Sequence, residues 1–93
     1  MTTLLTCCRV ADYDTWRPGY DRAVEHFPEI RSWRVWRGQD DPNFVVTEET
    51  FDSREVPERL ATSTEVHDMM ERDGVDMSTV QLYFLDEVGS GSR

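Results

Sequence analysis

Apolar positions recur with two alternating periods along the chain, and each switch of period marks an element. Leu4 to Val10 reads as a first strand. Asp12 follows as a candidate N-cap, its carboxylate placed to accept from the amide of Asp14 or Thr15. Tyr13, Trp16, Tyr20, Ala23, Val24 and Phe27 then recur at three- and four-residue spacing, which is one face of a helix. Pro18 and Gly19 interrupt that face. Proline is tolerated near a helix start, where the amides lack intrahelical partners; glycine costs about 1 kcal/mol relative to alanine. Either the first turn is distorted or the regular helix begins near Arg17, and Pro28 ends it.

The stretch from Arg31 to Phe51 predicts a hairpin. Trp33, Val35, Trp36, Phe44, Val45 and Val46 suit a pleated, half-buried surface. Gly38, Asp40, Asp41, Pro42 and Asn43 cluster between them as a turn, longer than a two-residue connection. Trp33 and Val35 share one face, and Arg34 and Trp36 the other. Phe44 and Val46 oppose Val45 and Thr47 in the same way. A sheet wetted on one side is apolar on one face only. This hairpin is apolar on both, so both faces call for cover.

Asp52 is the expected cap of a second helix, with Glu55 in a near capping-box position. Val56 and Leu60 face inward. Thr62 with Glu65 repeats the signature, so the helix restarts there, with Val66, Met69 and Met70 as its apolar stripe. Asp73-Gly74 closes it, glycine suiting the left-handed C-cap. Val80 to Val88 reads as the fourth strand, Val80, Leu82 and Phe84 alternating with Gln81, Tyr83 and Leu85. The order β-α-β-β-α-β is the split, ferredoxin-like α+β arrangement: a four-stranded antiparallel sheet with both helices on one face. Right-handed crossovers put strands one and three in the middle. One domain over residues 1–88 and a flexible Gly/Ser tail over 89–93 are expected. A second copy of the same sheet is the simplest cover for the bare face, which predicts a homodimer.

Charge narrows the partners. Nineteen acids oppose ten bases, all of them arginine, for a net charge of −9. Such a chain repels nucleic-acid phosphates and anionic membrane surfaces. No apolar run reaches the ~18 residues of a membrane span, and the first ten residues do not read as a signal peptide. Cys7 and Cys8 leave a strand on opposite faces, so a bridge between them is strained. They read as two small hydrophobes in a reducing, cytoplasmic setting. No Cys/His or Ca²⁺-loop spacing points to a metal.

The run VADYDTW (Val10 to Trp16), then RSWRVWRGQDDPN (Arg31 to Asn43), then a Val-rich strand into EETFDS (Glu48 to Ser53) resembles the dimeric α+β barrel superfamily. Its nearest flavour is the small actinobacterial proteins related to antibiotic-biosynthesis monooxygenases and polyketide cyclases. The resemblance covers residues 3–88. It implies face-to-face stacking of two sheets, with a small-molecule cavity between sheet and helices in each subunit. It implies cofactor-free chemistry, a cyclase, isomerase or monooxygenase acting on a hydrophobic aromatic or polyketide-like metabolite; a non-catalytic binding or accessory protein of the same fold is the alternative. Oxygenase-like members often carry a histidine on helix two; that slot falls here on Leu60, which favours proton-transfer chemistry over oxygenation.

Candidate site residues follow from side-chain chemistry. Tyr13, Trp16, Tyr20, Met69 and Met70, with Trp36 or Trp33 from the sheet, are expected to wall an aromatic pocket, since methionine and tyrosine are adaptable or amphipathic liners. The bland alternative is an ordinary core. His67 is the first candidate acid/base, its ordinary pKa suiting proton transfer near neutrality, and Tyr83 is expected to reach the cavity beside it. His26 at the end of helix one is explained by the helix dipole alone. Arg34 is either a buried cation stabilising an enolate or an interface ion-pair partner of Glu48 or Glu49. Glu48 and Glu49 leave the strand on opposite faces and are not a carboxylate pair.

Overall fold

The computed structural model describes residues 1–93. Its elements are β1 (Thr2–Val10), α1 (Tyr13–His26), β2 (Ser32–Arg37), β3 (Phe44–Phe51), α2 (Glu55–Ala61), α3 (Thr64–Arg72) and β4 (Val75–Leu85). The strands form one antiparallel sheet in the order β2-β3-β1-β4, so the first and third strands are central as expected, and the helices lie on one face.

The ends of α1 follow their local chemistry. Asp12 is extended at the N-cap and accepts from the Thr15 amide at 3.0 Å. The helix starts at Tyr13 and runs through Pro18, so the distorted-start and late-start readings both give way to a regular helix. Pro18 is the sixth helical residue, past the first-turn amides that lack partners, so the helix forgoes the bond to the Asp14 carbonyl there and continues. Gly19 has a packing reason: a Cβ built on it would fall 2.4 Å from the Asp73 carboxyl. The bare Gly19 backbone lets α1 seat against the corner between α3 and β4.

The second helical segment differs from expectation at its start. Asp52 does not cap it; its carboxylate is held by Arg31, at 3.1 Å from Nε and 2.7 Å from Nη2. The helix opens at Glu55 behind Arg54, with no side-chain cap. The break between α2 and α3 is where the sequence placed it, but Ser63 rather than Thr62 is the cap, accepting from the Val66 amide at 3.3 Å. The Thr62 hydroxyl instead turns back to the carbonyls of Glu58 and Arg59. Gly74 has φ of 92°, the left-handed conformation expected of it.

β4 begins at Val75, earlier than its apolar alternation suggested, and ends at Leu85. The polar run Asp76 to Thr79 hides its start. There β1 steps from Cys7 to Arg9 while β4 steps from Asp76 to Gln81, a wide bulge. Its freed groups are satisfied locally: Thr79 Oγ1 donates to the Asp76 carbonyl at 2.6 Å and accepts from the Arg9 amide at 2.9 Å.

Two apolar clusters join sheet to helices. Cys8, Val10, Trp16, Val45 and Val75 form one; Leu4, Val24, Ile30 and Phe51 form the other. Every sheet residue among them belongs to the helix-facing alternation. The opposite face is also apolar. Trp36, Phe44, Tyr83 and Leu85 stand 38–52% exposed there, beside half-buried Leu5, Cys7 and Val46. The two-sidedness read from the hairpin is thus a property of the whole sheet. No helix is long and apolar enough to cross a membrane.

Asp12→Ala removes the N-cap side chain of the longest helix. Urea denaturation is expected to show a loss of about 1 kcal/mol with an unchanged slope.

Candidate functional site

A cavity of about 150 Å³ lies between the helix-facing side of the sheet and the three helices. β1 and β3 make its floor, where Thr6 pairs with Thr47 and Leu4 with Glu49 in the cross-strand register. α1 supplies Trp16 and Tyr20, whose rings stack on one another at 5.1 Å with 23° between planes. α3 supplies Val66, His67, Met69 and Met70. The bulged half of β4 adds Met77 and Val80.

One polar pair stands out in this apolar chamber. The Tyr20 hydroxyl donates to Glu49 Oε2 at 2.7 Å. Alternation along β3 puts Glu49 in line with buried Val45, Thr47 and Phe51, so its carboxylate is carried to the helix side. Burial raises the Glu49 carboxyl above the usual carboxylate range, and the Tyr20 hydrogen bond only partly opposes that. Burial also pushes the Tyr20 phenol well above its ordinary value, and the nearby Glu49 charge adds to it. The Cys8 thiol, on the same floor, is pushed up to about 11, mainly by burial and then by Cys7. It is therefore a neutral thiol, not a nucleophile at ordinary pH.

The structure brings together four of the expected wall residues: Trp16, Tyr20, Met69 and Met70 all line the cavity. Tyr13 does not. Its ring packs between Trp16, at 5.9 Å, and the Arg37 guanidinium, 4.2 Å from the ring centre. Trp36 belongs to the opposite sheet face, in register with Val46. Trp33 is on the helix side but sits on the edge strand, away from the cavity lining.

Among the expected polar groups, His67 is at the rim, mostly exposed, its Nε2 donating to the Ala61 carbonyl at 2.8 Å. That bond ties the start of α3 to the end of α2. Tyr83 does not reach the cavity. It pairs with Leu5 on the opposite face, as period-two alternation with Leu82 and Phe84 demands. Its hydroxyl donates to Gln81 Oε1 at 3.2 Å. Arg34 is exposed on that same face, across from Glu48, which excludes the buried-cation reading. His26 lies on the outer surface, 3.7 Å from Glu65. Leu60 lines the cavity as an apolar group. No three His, Cys, Asp or Glu side chains converge on a point that holds a metal.

Glu49 is the residue sequence reasoning passed over. The sequence offers it only as a possible ion-pair partner of Arg34 and as a neighbour of Glu48 with which it forms no carboxylate pair. The signal was present in the run Val45-Thr47-Glu49-Phe51, which strands an acid among buried positions.

No family model and no curated protein matches the chain. Solved structures do match it along nearly its whole length. A structure described as an antibiotic biosynthesis monooxygenase superposes with a TM-score of 0.73 at 16% identity, covering 96% of this chain and all of the other. SnoaB, a cofactor-independent oxygenase from Streptomyces nogalater, gives 0.74 at 13% identity, covering 96% of this chain and 94% of its own. The Arabidopsis thaliana protein At3g17210 gives 0.70 at 10% identity, covering 99% and 100%. The chain therefore has the ferredoxin-like fold of the antibiotic-biosynthesis-monooxygenase structures.

The raised Glu49 carboxyl ties stability to pH. The folded chain favours the protonated acid, so its contribution to stability is full below the ordinary value of about 4.3 and is lost as pH rises through the raised one. Each tenfold gain in proton affinity is worth about 1.4 kcal/mol. Glu49→Gln removes the titration. The variant is expected to be more stable than the wild type at pH 8, with the gap closing by pH 4 in denaturation curves. A gap that does not change over that range contradicts this placement of Glu49.

Proposed function

We propose that the chain is a cofactor-independent enzyme that moves a proton on a hydrophobic aromatic or polyketide-like metabolite held in the cavity. The observation that carries this reading is the Tyr20–Glu49 pair, a buried carboxylate hydrogen-bonded by a phenol inside a mostly apolar chamber. A purely apolar chamber would favour simple ligand binding; an oriented acid favours chemistry.

The ionised Glu49 is a stronger base than an ordinary carboxylate because its proton affinity is raised. Tyr20 holds Oε2 and leaves Oε1 without a hydrogen bond. Oε1 takes a proton from a carbon beside a substrate carbonyl; the C–H electron pair moves into the carbonyl, giving an enolate. Return of the proton at another carbon is isomerisation. Attack of the enolate carbon on a second carbonyl of the same molecule is cyclisation. Reaction of the same carbanion with dioxygen would be oxygenation, the activity named for SnoaB. The first step is common to all three. The Thr6 and Thr47 hydroxyls lie on the same floor as donors toward the developing oxyanion.

The bare sheet face supports a second proposal, that two copies stack through it in the cytoplasm. Exposed apolar surface of this extent marks an association site, and Trp36 is its largest group. Sedimentation equilibrium at micromolar concentration is expected to give twice the 10.9 kDa chain mass, and Trp36→Asp to return it to one chain. A wild-type protein that sediments as a single chain overturns the stacking.

The proton step is tested by deuterium uptake at the acidic carbon of an enolisable aromatic ketone, followed by NMR. Glu49→Gln is expected to lower the exchange rate by about 10²–10⁴-fold, with the far-UV spectrum unchanged. Tyr20→Phe keeps the stacked ring and is expected to shift the pH midpoint of exchange. Exchange that survives Glu49→Gln at the wild-type rate leaves the chain as a binding protein of this fold.

A further inference from the structure

We infer that the site takes a single planar ring bearing one enolisable carbonyl, and excludes fused polycyclic ketones. This narrows the substrate proposed above and rests on that reading. Pockets for drug-sized ligands run to about 300–1,000 Å³. The cavity here is about 150 Å³. An apolar protein cavity of about that size is filled by one benzene ring.

Its shape agrees with its size. Trp16 and Tyr20, stacked on one another, line the chamber from α1 and offer aromatic surface to a planar ring. Thr6, Thr47 and Glu49 are on the sheet floor; Met69 and Met70 line the chamber from α3, with His67 and Asp73 as the polar groups on that side. A ligand that meets Glu49 turns a polar edge to the sheet floor, and the rest of it lies among mostly apolar groups. Leu60 lines the chamber from α2 and offers it no polar contact.

Larger ligands bury more apolar surface and bind more tightly wherever they fit, so size and affinity make opposite rankings and can be separated. Cyclohex-2-enone, 2-tetralone and anthrone are enolisable ketones of one, two and three fused rings. Their affinities are measured by calorimetry, and the quench of tryptophan fluorescence is followed in parallel. The expected order is the enone at least tenfold tighter than anthrone, with 2-tetralone between. Met69→Ala adds volume on the roof and is expected to raise the ratio of 2-tetralone affinity to enone affinity at least about fivefold. Anthrone binding as tightly as the enone, or no binding of the enone at all, overturns the size limit. Deuterium uptake is read on the same samples. An enone that binds but does not exchange overturns the proton-transfer reading and leaves the size limit standing.

Discussion

β1 is hydrogen-bonded on both sides, to β3 and to β4, and the alternation of its side chains sets the rest of the molecule. Leu4, Thr6, Cys8 and Val10 go to the helices; Leu5, Cys7 and Arg9 go to the other face. Once that register is set, a slip by one residue in either neighbour would invert a whole face. Glu49 would then lie on the bare side and Glu48 beneath α1. The Tyr20 hydroxyl therefore has a partner only because β3 is paired to β1 as it is. The catalytic geometry proposed for the cavity is a consequence of strand register before it is a matter of any loop.

The same dependence explains what could be read from the chain. Helix and strand existence, their order and the central strands follow from local period, and the Asp12 cap from one residue and its neighbours. Cap identity failed where a long-range partner competed: Asp52 is claimed by Arg31 from another element. The start of β4 was missed because a bulge breaks the alternation that marks a strand. In the site, the aromatic wall was legible because Trp16 and Tyr20 are one helical turn apart. Tyr83 was misplaced by favouring its chemistry over its parity in the strand. Glu49 was missed because its partner is 29 positions away in sequence and on a helix.

An acid inside a small core works against stability. Ninety-three residues bury a limited area, and a void of about 150 Å³ removes packing that the domain otherwise has. Cores without function tend to fill such space and to replace such acids. Here the void and the acid adjoin each other, and the residues around them are those best able to adjust: three methionines, at Met69, Met70 and Met77. Their coincidence at one place is the usual mark of a site retained against stability.

The bulge in β4 reaches beyond the cavity that it helps to line. A sheet of this kind has two free edges, and each offers unpaired backbone groups to a neighbouring chain. On β4, the segment Asp76 to Thr79 turns its hydroxyls and carboxylate onto its own backbone and departs from straight pairing. On β2, Arg34 and Arg37 place like charges along the other border. Strand-by-strand growth into fibrils is obstructed at both borders, so the chain carries an exposed apolar sheet face without the added hazard of open-ended polymerisation through its edges.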